Sequence, residues 1–179
     1  PWTQVLAAAV RRGVAWANGH TDYTYSRISR RQAASKRVVL PATRRPLPEV
    51  AIVVDTSGSM DDGLLAQALG EVDGVLAGMG VSGRSVTVLA TDAAVHAVTE
   101  VRHAADVRLG GGGGTDVTVG IDAAVAVRSR PTLIVVLTDG FTPWPSLGPP
   151  VPLIAVVLGR TGYPLPDTPS WAERVECTL

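Results

Sequence analysis

Aromatic residues and cysteine are scarce in this chain, and each scarcity excludes something. Four Trp, three Tyr and one Phe among 179 residues leave Ala, Val, Leu and Gly to supply the apolar surface, so an aliphatic core is expected. Cys177 is the only cysteine. An intrachain disulfide is therefore excluded, and a reducing, cytoplasmic setting is expected. No run of about 18 apolar residues occurs, so no segment reads as a membrane-spanning helix. The opening does not read as a secretory signal, because the apolar stretch 5–10 is short and Arg11-Arg12 lie on its wrong side. The chain begins with Pro1 rather than Met, which reads as a piece of a longer chain or a processed one.

An excess of either charge is also missing, since sixteen Lys and Arg balance sixteen Asp and Glu. The balance hides an asymmetry. Residues 1–45 hold nine basic residues against Asp22 alone, and residues 46–179 hold seven basic against fifteen acidic. The simpler expectation is a basic arm packed along the acidic body of its own domain. A nucleic-acid arm would need aromatic or base-reading groups, and Tyr23 and Tyr25 are thin support, so nucleic acid is not an expected partner.

Hydrophobic spacing predicts a helix over 2–17, with Val5, Leu6, Ala9, Val10 and Trp16 recurring at helical intervals and Gly19 ending it. Residues 20–37 are polar and without period. Residues 38–40 read as a short strand or an extended packing segment, and Pro41, Pro46 and Pro48 make the adjoining stretch a stiff connector. The pattern then changes. Residues 50–54 form an apolar, mostly β-branched run of the kind buried on both faces of a parallel sheet. A polar loop, 55–62, leads to a helix marked by Leu64, Leu65, Ala68, Leu69, Val72, Val75, Leu76 and Met79, with Gly78 and Gly80 at its end. Further strands are predicted at 86–90, 95–101, 133–137 and 153–158, with a short final edge strand at 174–179. Another helix, with Val117, Ile121 and Val125 on one face, comes after the glycine run 110–114. This alternation predicts an α/β fold: a doubly wound, mostly parallel, Rossmann-like sheet with helices on both faces. The expected organisation is an N-terminal helix and basic extended arm over 1–47, packing on a domain over 48–179.

In such sheets ligands bind beyond the carboxyl ends of the strands, where strand order reverses. Asp55 follows the first long strand, Asp139 follows the fourth, and Thr115 opens a helix expected on the same rim. Mg²⁺ takes six oxygens at about 2.0–2.1 Å. Asp55, Ser57 and Ser59 alternate in a tight loop, so their side chains can point the same way, and Gly58 lets the backbone turn. Thr115 would add a third hydroxyl and Asp139 a second carboxylate, directly or through water. That set leaves one position of the ion open or water-filled, and a carboxylate from a partner protein suits it. The blander alternatives are ordinary. Ser57 and Ser59 could cap the helix beginning near 61, Asp55 could be a strand-end residue, Asp139 could be a turn residue before Gly140, and Asp116 could open its helix. Asp92 could support the metal or end a strand. The glycine run is a poor phosphate cradle, since Gly114 is followed by Thr115-Asp116 with no lysine.

The order Asp55-Thr56-Ser57-Gly58-Ser59, then Thr115 after the glycines, then Leu137-Thr138-Asp139-Gly140 resembles the metal-ion-dependent adhesion site of von Willebrand factor A (VWA) domains. More narrowly, Asp22-Tyr23-Thr24-Tyr25 with Arg30-Arg31, Ala90-Thr91-Asp92-Ala93-Ala94-Val95, and Pro143-Trp144-Pro145 after Asp139-Gly140 resemble the bacterial VWA-like domain that follows a metallopeptidase domain in one protein family. The resemblance covers about residues 48–179. It implies a metal-binding VWA-like domain with Mg²⁺ or Mn²⁺ at Asp55, Ser57, Ser59, Thr115 and Asp139. It also implies protein binding rather than catalysis in this part of the chain, a catalytic metallopeptidase domain upstream, and a MoxR-type AAA+ ATPase as a partner. One departure stands out: segments 140–152 and 159–170 are short and proline-rich where the family usually has helices, so one flank of the sheet is expected to be thinly covered and open to another domain. Trp144, between two prolines, could anchor such an interface or pack on its own body.

The competing reading is a hydrolase using Asp55 and Asp139, either aspartic-protease-like or metal-assisted. Position 57 is Ser where the aspartic-protease loop has Gly, and the α/β alternation does not fit that mainly β class. No His or Lys is well placed as a general base. His20, His96 and His103 have no ligand spacing, and no His-Glu-x-x-His occurs.

Overall fold

The computed structural model describes residues 2–18, 22–35, 37–44, 49–60, 62–79, 86–91, 95–100, 116–128 and 130–178. In chain order its elements are α1 (Trp2–Asn18), β1 (Asp22–Thr24), β2 (Ala42–Arg44), β3 (Val50–Asp55), α2 (Asp62–Gly78), β4 (Val86–Thr91), β5 (Val95–Glu100), α3 (Val117–Ala126), β6 (Leu133–Thr138), β7 (Leu153–Gly159) and β8 (Glu173–Thr178), with a 3₁₀ turn at Gln32–Ala34. The expected α/β architecture is present. β3 to β8 form one sheet in the order β5-β4-β3-β6-β7-β8. β4, β3, β6, β7 and β8 run parallel, and β5 runs antiparallel to β4 at the edge. Its direction follows from chain length. Only residues 92–94 separate β4 from β5, and a parallel return needs a dozen or more residues.

The continuous apolar runs divide by the period of two. Val50, Ile52 and Val54 of β3, Leu133, Val135 and Leu137 of β6, and Ile154, Val156 and Leu158 of β7 face one layer. Ala51 and Val53, Ile134 and Val136, and Leu153 and Ala155 face the other. Burial on both sides explains why these strands show no polar alternation.

The first layer holds α2 and α1. Helix α2 buries Leu64, Leu65, Ala68, Leu69, Val72, Val75 and Leu76, the stripe expected at three- and four-residue spacing. Helix α1 sits beside α2 over β6, β7 and β8 and buries Leu6, Ala9, Val10 and Val14 completely. Burying Leu6, Val10 and Val14 stabilises the fold by roughly 2 kcal/mol each. Arg12 adds an ion pair to Glu173 of β8.

On the opposite face α3 lies close to β3 and β4. A Cβ at Gly120 would stand 2.5 Å from Val53 Cγ1 and 2.8 Å from Thr91 Cγ2, so only glycine allows this approach. Beyond α3, Trp144, Val151, Trp171 and Ala172 pack against the sheet from the two helix-free connections. Trp144 and Trp171 meet edge to face, with centroids 6.3 Å apart and planes at 73°. Trp144 thus packs on its own body.

The flank around β7 and β8 is covered unevenly. Helix α1 closes one side; on the other the tryptophan-bearing connections bury Leu153 and Ala155 of β7, while Glu176 of β8 stays exposed. Residues 38–40 are not a strand. Val38 and Val39 are exposed, because the side chain of Gln32, rather than a sheet, holds this segment: its Nε2 donates to the Ser35 and Val38 carbonyls, and its Oε1 accepts from Leu40 N–H.

Candidate metal centre

Strand order reverses at β3, whose chain-following neighbour β4 lies on one side while β6 lies on the other. The carboxyl ends of β3 and β6 therefore flank the crevice where this class of sheet binds ligands. Asp55 is the last residue of β3, and Asp139 directly follows β6.

The Asp55 carboxylate is completely buried. Its Oδ1 accepts from Ser57 N–H at 2.9 Å, and its Oδ2 accepts from the Thr138 hydroxyl at 2.7 Å. Thr138 Oγ1 in turn accepts from Gly140 N–H at 3.0 Å. One threonine hydroxyl thus links the end of β3 to the turn after β6. Gly140 adopts φ +86°, in the left-handed region that a side chain disfavours, so the turn carrying Asp139 requires glycine.

Toward solvent, Ser57 Oγ and Ser59 Oγ are 3.1 Å apart, and Ser59 donates to Asp139 Oδ2 at 2.5 Å. The other Asp139 oxygen accepts from Phe141 N–H at 3.0 Å. The loop is held from below by Thr56, whose N–H and hydroxyl both donate to the Thr91 carbonyl, at 2.9 and 3.2 Å. Thr91 completes the strap by donating to Val54 O at 3.3 Å.

This donor set can be tested against a hard cation. Adjacent ligands of an octahedral Mg²⁺ with bonds of about 2.0–2.1 Å lie about 2.9 Å apart. The Ser57–Ser59 and Ser59–Asp139 separations, 3.1 and 2.5 Å, bracket that edge. The oxygens are of the hard type Mg²⁺ and Mn²⁺ prefer. A buried carboxylate directly behind them is costly in isolation and is offset by a nearby cation. Ser57, Ser59 and Asp139, with Asp55 behind, fit such an ion.

Thr115, the glycine run 110–114 and Asp92 lie outside the described residues. The start of the helix after Thr115 is described. Asp116 caps α3, its Oδ1 accepting from Thr118 N–H at 2.9 Å. Val117 N–H donates to Thr142 Oγ1 at 3.0 Å, which pins the amino end of α3 to the loop that carries Asp139. Among the described residues no cluster of three or more His, Cys, Asp or Glu exists, so hydroxyls must carry much of any metal site here.

Sequence reasoning singled out Asp55, Ser57, Ser59 and Asp139, and the structure brings these four together. It missed Thr138 and Thr91 as the bolts between strand ends, and Thr142 at the helix start. Threonine at the end of an apolar strand was the available signal, but one hydroxyl does not reveal its partner.

A parallel α/β sheet with carboxylates and hydroxyls gathered at its switch point defines a VWA-like class of domain. A profile described as VWA-like domain (DUF2201) matches residues 50–178, and the chain belongs to that family. No curated protein matches the chain. Among the described residues no helix is long and apolar enough to cross a membrane.

Proposed function

We propose that this domain is a metal-dependent protein-binding module. Ser57, Ser59 and Thr115 would supply hydroxyl oxygens to one Mg²⁺ or Mn²⁺, and Asp55 and Asp139 would supply carboxylates, directly or through water. The ion would contribute an electrophilic position that takes a carboxylate from a partner protein. The chain's own residues do the rest. Thr138 and Ser57 N–H hold Asp55 in one orientation, and Phe141 N–H holds Asp139 in another. The Thr56–Thr91 strap keeps the serine loop against β4. The observation that carries the reading is the run of oxygens from Ser57 through Ser59 to Asp139 at the sheet's switch point.

A bacterial, cytoplasmic protein with a metallopeptidase domain upstream and a MoxR-type AAA+ ATPase as partner is the fuller form of this proposal, and rests on the family resemblance. A hydrolase using Asp55 and Asp139 has less support. An aspartic pair shares a proton between two facing carboxyls, whereas here Ser57 and Ser59 stand in the hydrogen-bonded path between Asp55 and Asp139.

Isothermal titration with MgCl₂ and MnCl₂ tests the site. Wild type is expected to bind one ion. Ser59→Ala and Asp139→Asn alter exposed or half-buried groups, and are expected to weaken binding by about tenfold or more, equivalent to roughly 1.4 kcal/mol, with an unchanged far-ultraviolet spectrum. Equal affinity in wild type and Asp139→Asn would remove the assignment.

A further inference from the structure

Residues 22–44 of the basic arm carry a strand pair and a cleft of their own. β1 and β2 pair antiparallel, Tyr23 opposite Thr43, and the chain between them is fastened at several points. Arg27 donates to the Thr43 carbonyl, the 3₁₀ turn closes through Gln32 N–H to Ser29 O and Ala34 N–H to Arg31 O at 3.0 Å each, and the Gln32 side chain ties Ser35, Val38 and Leu40. This frame borders a cleft of about 850 Å³ lined by Tyr23, Arg27, Ile28, Arg30, Arg31 and Thr43.

Two properties of the cleft identify its occupant. The first is charge. Residues 22–44 carry six basic residues and one acidic, and among the described residues no carboxylate pairs with Arg30 or Arg31. The second is exposed apolar surface. Ile28 is 82% and Tyr23 73% exposed, and both line the cleft. Phosphate backbones would satisfy the arginines and leave the Ile28 side chain in water. A protein segment carrying carboxylates and aliphatic side chains satisfies both, through charge-assisted pairs at the rim and apolar burial at the centre.

We infer that the cleft of the basic arm is a docking site for an acidic, aliphatic segment of a partner protein, separate from the candidate metal centre. Arg30 and Arg31 meet the carboxylates. Ile28 and the face of Tyr23 receive the aliphatic side chain. Arg27, tied to β2, sets the shape of the cleft.

Fluorescence anisotropy of the whole chain with a labelled octapeptide alternating glutamate and leucine tests this. Saturable binding is expected, unchanged by EDTA, which separates this site from the metal reading. The Arg30→Glu/Arg31→Glu double variant should weaken binding at least about tenfold, and Ile28→Ser about threefold to tenfold. These side chains are exposed, so circular dichroism should match wild type. Equal binding by the double variant overturns the inference. So does tighter binding of a single-stranded uridine oligonucleotide than of the peptide, which would mark the arm as a nucleic-acid contact.

Discussion

The two faces of the sheet are covered by different means. On one, two helices of seventeen residues each lie side by side over an aliphatic layer that includes Leu6, Val10, Leu65, Leu76 and Cys177. On the other, a ten-residue helix covers the centre and two proline-rich connections cover the flank with Trp144 and Trp171. The matched family region begins at residue 50, yet α1 lies before it and completes the first face. The connections after β6 and β7 form no helix, so the apolar surface of β7 and β8 must be buried by something else. The chain meets that need with a helix from its own amino end. A domain's core, then, need not stop where its sequence signature does.

The sharpest way to break this comparison is to remove α1. A chain beginning at Glu49 exposes the layer that Leu6, Ala9, Val10 and Val14 bury completely. It is expected to lose cooperative thermal unfolding, monitored by calorimetry, and to bind the dye ANS. A cooperative transition within a few degrees of wild type would show that α1 is dispensable. The opposite face has its own weak point in Gly120→Ala, whose Cβ meets Val53 and Thr91 at 2.5 and 2.8 Å. Overpacking of that kind costs about 1–3 kcal/mol in urea denaturation, and an unchanged midpoint would mean that α3 can lift away.

The smallest effect separates the faces by pH. Burial pushes the Cys177 thiol up to about 12 from its ordinary value of 9.0. The native thiol therefore keeps its proton where the unfolded chain's thiol has lost it. The stability this provides is complete below about 9 and is lost as pH rises from there toward about 12, by at most about 1.4 kcal/mol per pH unit. Denaturation at pH 8 and 10 is expected to show a steeper loss for wild type than for Cys177→Ala. Parallel slopes would mean that the thiol ionises freely in the native state.

Much of the architecture was legible because burial on both faces writes itself as unbroken apolar runs rich in β-branched residues. Residues 50–54, 133–137 and 153–158 mark β3, β6 and β7 almost residue for residue. The candidate site was legible because Asp55 and Asp139 terminate two of those runs, and serines alternate after the first. Residues 38–40 left a strand and an extended segment both open because an apolar triplet fits either, whereas the hydrogen bonds from Gln32 that hold it come from a side chain six to eight residues earlier. The flank was legible only in part, because loop composition reports the absence of a helix there and says nothing of a helix arriving from elsewhere.

The amino-acid sequence by itself determined the local choices: which segments are strands or helices, where carboxylates and hydroxyls fall at strand ends, and that β5 turns back on β4 across a connection too short for a crossover. Only the tertiary structure decided which distant groups meet. It set α1 over β6, β7 and β8, and placed Thr138 between Asp55 and Gly140. Local preference depends on a residue and its near neighbours. Contact between segments more than eighty residues apart depends on how the whole sheet twists and stacks.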